Sequence, residues 1–141
     1  MGQDIKKAAF SLNGYRFNKV SLDLAGLKQD SVFDLDFKPS GLFHHNTGVF
    51  RLTFLFSAKI ANVEVISVNC QAEFMFESAR TLEDIPDYFY ANSIAILFPY
   101  VRAFVSTVSL QANIPPIIIP TLNLSPLKDY LKANTIISNG K

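Results

Sequence analysis

The chain is short of the residues on which many functions depend. It has one cysteine, two histidines, six glycines and no tryptophan among its 141 residues. A solitary Cys70 excludes an intramolecular disulfide. It falls mid-strand on an apolar face, where free cysteine is usually buried and unreactive rather than nucleophilic. His44 and His45 are adjacent, so in an extended segment their side chains point to opposite faces and do not share a metal. Neither lies in a recognisable triad context, and no glycine-rich phosphate loop occurs. Glu83, Asp84 and Asp87 cluster beside Pro86, in what reads as a solvated loop rather than a hydrolase carboxylate pair. The expectation is a protein that is not an enzyme and needs no cofactor and no metal.

Charge is scarce as well. Charged residues make up 18% of the chain, below the roughly 25% of ordinary globular domains. The formal net charge is +1, from 13 basic and 12 acidic residues spread along the sequence. With no basic stripe, nucleic acid is not an expected partner. Uninterrupted apolar runs are short: Ile94–Phe98 and Ile117–Ile119 fall far below the roughly 20 residues a bilayer requires. Residues Met1–Lys7 lack the apolar core of a signal peptide. These absences point to the cytoplasm and to no membrane insertion.

What is present is apolar. Hydrophobic residues account for 49% of the chain, with 13 phenylalanines. One domain, 1–141, buries about 68–70% of its unfolded surface. Too few charges remain to cover a monomer comfortably, so a subunit interface, a sticky binding surface, or both should absorb the excess.

The first two-thirds reads as strands. Phe10, Leu12, Tyr15, Phe17, Val20, Leu22 and Leu24 alternate with polar residues, predicting one long, kinked or bulged strand ending near Gly26. Val32–Pro39 places Phe33, Leu35 and Phe37 on one side, with Pro39 limiting the ladder. Gly41–His44 forms a short strand before the Asn46-Thr47-Gly48 turn. Val49–Lys59 and Val63–Phe76 make a hairpin across Ile60-Ala61-Asn62, with Ile66, Val68, Cys70, Ala72, Phe74 and Phe76 on the drier face. Glu77–Ala91 reads as a loop.

Then the period changes. Ile94, Leu97, Phe98, Val101, Phe104, Val105 and Val108 fall at helical spacing. Asn92 or Ser93 is placed to cap the start. Pro99 implies a shifted start or a kink, and Asn113 suits a left-handed C-terminal residue. Ile114–Leu122 is a proline-punctuated apolar loop, unusual because loops normally run over the surface. A second helix begins near Asn123 or Ser125, with Leu124, Leu127 and Leu131 on one face. From Ala133 onward, and so over 135–141, the chain reads as a frayed tail.

Leu97-Phe98-Pro99-Tyr100-Val101-Arg102 closely resembles the Leu-Phe-Pro-Tyr-Ala-Arg signature of the SecB family of protein-export chaperones. Ile114-Pro115-Pro116-Ile117-Ile118-Ile119 matches that family's Phe-Pro-Pro followed by three aliphatics, and Leu122-Asn123-Leu124 follows in register. A weaker match places Val32-Phe33, Phe37 and Pro39 in the family's crossover loop. Asn113 replaces a usual glycine, Thr121 a proline, and the acidic C-terminal tail of the export chaperones is absent.

The resemblance implies an α+β subunit: a four-stranded antiparallel sheet with two helices packed on one face, assembled as a dimer of dimers. Its partners would be unfolded or precursor polypeptides, held without ATP in apolar grooves for protein transport and export. Candidate client contacts are Val32, Phe33, Phe37, Ile114, Ile117, Ile118, Ile119, Leu127 and Leu131, of which the loop residues could equally pack a subunit. Candidate interface residues are Leu97, Val101, Phe104, Val105 and Val108. Arg102 either forms an intersubunit ion pair or is solvated. For a translocation ATPase, Asp23 keeps one of the family's acidic contacts, while Lys19 reverses a second and a third falls near Ser67, so that partner is doubtful. A module dedicated to one partner such as an antitoxin, and a small hydrophobic-ligand carrier, are the alternatives.

Overall fold

The period-two pattern of Val63–Phe76 folds as written: Ile66, Val68, Cys70, Ala72, Phe74 and Phe76 are buried on one side of the strand. This is seen in a computed structural model, which describes residues 9–28, 30–121 and 123–138. Leu122 of the matched segment and 139–141 of the expected tail lie outside these residues. In chain order the described elements are β1 (Phe10–Leu22), β2 (Asp34–His44), β3 (Val49–Ile60), β4 (Val63–Phe76), α1 (Asp87–Gln111), α2 (Leu124–Ala133) and β5 (Thr135–Ser138). One turn of 3-10 helix spans Leu82–Asp84.

The strands form one sheet in the order β1-β4-β3-β2-β5. The first four are antiparallel, and β5 runs parallel to β2. The expected four-stranded antiparallel sheet is therefore five-stranded and mixed. The extra strand lies in the segment expected to fray. Gly41 donates its N–H to the Asn134 carbonyl at 3.2 Å, and Thr135 Oγ1 donates to the Leu131 carbonyl at 2.7 Å. The end of α2 thus delivers four residues onto the β2 edge.

Local chemistry explains the connections. Ala61 and Asn62 both have positive φ, 49° and 65°, giving the two-residue turn whose twist matches antiparallel strands. Register shifts fall between Leu12 and Gly14 and between Phe17 and Lys19, so β1 is bulged as its sequence suggests, although it stops at Leu22. The ladder does not stop at Pro39, as expected, and Gly41–His44 is the end of one 11-residue strand. Gly41 N–H points to the outer side of β2, and Pro39 two residues earlier presents its missing N–H to that same side. There β5 does not reach, because its pairing begins at Gly41.

The helix α1 starts at Asp87, earlier than the expected Asn92 or Ser93 cap, with Pro86 at its N-cap. Ser93 is buried and donates its hydroxyl to the Tyr90 carbonyl. Pro99 lies inside the helix on its exposed side. Ala95, whose carbonyl loses its partner, is exposed too and within reach of water. Asn113 has φ 62° just past the C-terminus, as its sequence suggests. Phe89 fills the space between helix and sheet, its ring 4.8 Å from those of Phe10, Phe50 and Phe76 and 5.4 Å from Phe74.

Candidate functional site

The six-residue segment at the middle of α1 joins three parts of the molecule. Leu97 and Val101 enter the core and are fully buried. Phe98 meets Phe37 of β2 edge-on at 6.4 Å. Tyr100 stacks on Tyr15 of β1 at 4.4 Å. Arg102 lies over the Phe98 ring at 5.6 Å and donates from Nε to the Ile119 carbonyl at 2.8 Å. Within the chain it is therefore more than a solvated side chain: it ties helix to interhelical loop.

That loop is held at its start by Ile114 N–H, which donates to the Ser109 carbonyl at 3.2 Å. Farther along, Ile117 and Ile119 turn inward and are buried, while Ile118 is 70% exposed. The connection between β1 and β2 approaches it. Ser31 closes this connection into a turn, its hydroxyl donating to the Lys28 carbonyl at 2.7 Å and accepting from the Lys28 N–H at 2.8 Å. Between the two segments lies an open groove of about 300 Å³ lined by Leu27, Lys28, Ser31, Phe33 and the run Ile114–Ile117. One lysine at its rim and apolar walls suit it to burying side chains of a polypeptide. Among the described residues its only polar side chains are those of Lys28 and Ser31.

Three of the nine candidate client contacts line this groove: Phe33, Ile114 and Ile117. Val32 and Ile118 stand exposed beside it in sequence. The others are elsewhere. Phe37 packs on Phe54 and Phe56, Leu127 is half-buried, and Ile119 and Leu131 are fully buried in the core. Leu27, Lys28, Ser31, Pro115 and Pro116 were missed as lining residues. The double proline was the available signal, since it forces an extended rim that cannot fold into a helix.

The candidate interface residues divide similarly. Leu97, Val101 and Val105 are fully buried against the chain's own sheet, so they have no area left for another subunit. Phe104 stacks on Phe17 at 4.1 Å, and Val108 is half-buried. Facing outward instead are Ile96, Tyr100, Ala103, Thr107 and Leu110, at spacings of four and three. The 25 residues of α1 carry only Asp87 and Arg102 as charges. By length and composition alone the helix is apolar enough to cross a membrane, although its longest uninterrupted apolar run is Ile94–Phe98.

Several titratable groups have structural roles. Burial pushes the Cys70 thiol up to about 11, so it stays protonated and inert near neutral pH. Asp84 accepts from the Arg80 and Thr81 N–H groups. Asp87 bonds Lys128 and Lys132 of α2. Asp23 lies just past β1 and accepts from the Ala25 N–H. Lys19 stands opposite Asn69, on the side of the sheet away from the buried Val68 and Cys70.

No protein-family model matches the chain. A segment of 46 residues, 33% of the chain, is 48% identical to an uncharacterised protein of Methanocaldococcus jannaschii, and the match spans 30% of that relative's length. Among solved structures, a SecB-like chaperone of Mycobacterium tuberculosis, in complex with a ChAD peptide from an antitoxin, superposes with a TM-score of 0.68 at 18% identity. The match covers 87% of this chain and all of that one. A Streptococcus agalactiae protein of unknown function gives a TM-score of 0.44 at 12% identity. The fold is SecB-like.

Proposed function

We propose that the chain is a holding chaperone: it binds unfolded polypeptide segments in the groove between the β1–β2 connection and the interhelical loop, without ATP and without chemistry. The observation that carries this is an open apolar groove, walled by Phe33, Ile114, Pro115, Pro116 and Ile117, on a SecB-like fold. Burying a few hundred Å² there at about 25 cal/mol per Å² contributes several kcal/mol before ordering costs. Apolar burial is non-directional, so specificity is broad. Several subunits would add avidity for a long client. The charge-poor outward face of α1, with Ile96, Tyr100 and Leu110 exposed, is the surface through which subunits would assemble in the cytoplasm.

The test is suppression of aggregation of a denatured client, with nucleotide omitted and chelator added. Protein with Phe33 and Ile114 both changed to serine should remain folded by circular dichroism and lose most of the suppression. Full activity in that variant would remove the groove from the mechanism.

A second reading has one specific observation in its favour: the structural neighbour was solved with a peptide from an antitoxin. On that reading the groove serves one dedicated partner. Competition among unrelated unfolded clients separates the two, since a dedicated module would bind one sequence and ignore the rest. Coupling to an export motor is not part of the proposal, because by the family resemblance Lys19 reverses one of the acidic motor contacts.

A further inference from the structure

A second concavity lies on the opposite face of the sheet. It measures about 440 Å³ and is lined by Gly14, Tyr15, Arg16, Asn18, Arg51, Gln71 and Glu73. It exists because β1 bulges next to Gly14, and because Gly14, paired with Glu73, has open space where a side chain would stand. Arg51 neutralises Glu73 at 3.1 Å and closes one wall. Arg16, opposite Gln71, is left as the uncompensated charge, and Lys19, opposite Asn69, follows it on the same face. Among the described residues neither Arg16 nor Lys19 has an ion-pair partner. Ser11 and Ser21, which pair on this side, and Asn18 in the lining are neutral, and the carboxylate of Asp23, next along the chain, caps the Ala25 N–H.

We propose that this outer face of β1 is a docking site for an acidic polypeptide segment in extended conformation, whose carboxylates pair with Arg16 and Lys19 while a side chain enters the depression at Gly14. Charge complementarity favours this occupant. Because a bulge separates them, Arg16 and Lys19 are consecutive residues on one face, about 7 Å apart along the strand. That is the repeat of alternate side chains in another extended chain. A single terminal carboxylate would use only one of them. Arg16 offers the fork geometry that grips a carboxylate through two hydrogen bonds. Two cations beside a neutralised pair are too few for phosphate-backbone binding.

The site is distinct from the client groove, and its test separates the two. Fluorescence anisotropy of the full chain with an amidated peptide alternating glutamate and serine should show saturable binding that weakens as salt rises. The glutamine counterpart should bind at least about tenfold more weakly. Arg16→Glu should abolish binding of the acidic peptide. Gly14→Val fills the depression at a position where an added Cβ meets nothing within 4 Å and where β-branching suits a strand. It should weaken binding while the fold is retained. Phe33→Ser with Ile114→Ser should leave acidic-peptide binding intact. Equal affinity for the glutamine peptide, no effect of Arg16→Glu, or equally tight binding of a single-stranded oligonucleotide or an anionic vesicle would overturn the proposal.

Discussion

Arg102 Nε lies 2.8 Å from the Ile119 carbonyl oxygen, so one side chain fixes the distance between α1 and the loop that forms one wall of the groove. Ile119 itself is fully buried, and its carbonyl would be left without this donor if the arginine were removed. Arg102→Met keeps the apolar stem and deletes the donor. The expected cost is about 1–3 kcal/mol in chemical denaturation, with faster amide exchange over residues 113–121. Arg102→Lys should not rescue, because the donor is a mid-chain Nε held in a planar group stacked on Phe98. Wild-type stability in Arg102→Met would show that the tie is incidental.

Opposite sides of α1 should respond differently to mutation. Val105 is fully buried inside the subunit, so Val105→Glu places an unpaired carboxylate in the core and should unfold the chain rather than merely dissociate it. Leu97→Ala should cost about 2–5 kcal/mol through the cavity it leaves. Leu110→Lys, at a side chain 58% exposed, should leave the subunit folded and reduce the assembled mass in light scattering. A compact monomer in the parent protein would remove the outward face as an interface.

Why the sequence revealed one of these sides and not the other has a physical reason. Helical periodicity identifies residues that share a face, as it did for Leu97, Val101 and Val105, but says nothing of what lies opposite them. The resemblance gave them to a partner as well as to their own sheet, whereas burial within the chain is already complete. The strands β3 and β4 were legible because burial on one face imposes strict alternation. Thr135–Ser138 was not, since four residues have no period to read and their pairing with β2 is non-local. The start of α1 was hidden by Pro86 and its acidic neighbours, which look like loop until Phe89 is seen packed among phenyl rings. Of the groove's lining, Phe33, Ile114 and Ile117 were among the residues the resemblance singled out. Lys28 and Ser31 were not, because a turn built on one serine hydroxyl leaves almost no pattern.

Cys70 provides an internal reporter of opening. Its thiol is fully buried on the core face of β4 and pushed up to about 11 by loss of solvation. A disulfide reagent near pH 8 should therefore react with the native protein only through opening of the sheet, and rapidly once denaturant is added. Prompt stoichiometric labelling of native protein would contradict this burial.

The acid dependence of α2 docking should follow Asp87. Its carboxyl is held below the usual carboxylate range, first by hydrogen bonds from Lys132 and Lys128 and then by their charges. The bonds measure 3.0 Å to Lys132 and 3.3 Å to Lys128, and they join the first turn of α1 to α2. A carboxyl whose folded value lies below its unfolded one binds fewer protons when folded. Its contribution is thus complete above the unfolded value and disappears as pH falls through the lowered folded value. Near neutral pH the link should be insensitive to pH. On acidification, amide exchange in α2 and in β5, which follows directly from it, should rise before that of β3 and β4. Asp87→Asn should remove this acid-dependent step and give the faster exchange already at neutral pH. The carboxylate is well exposed, so high salt should mimic part of the effect by screening. If acid releases α2 equally in parent and Asp87→Asn protein, a different carboxyl carries the dependence.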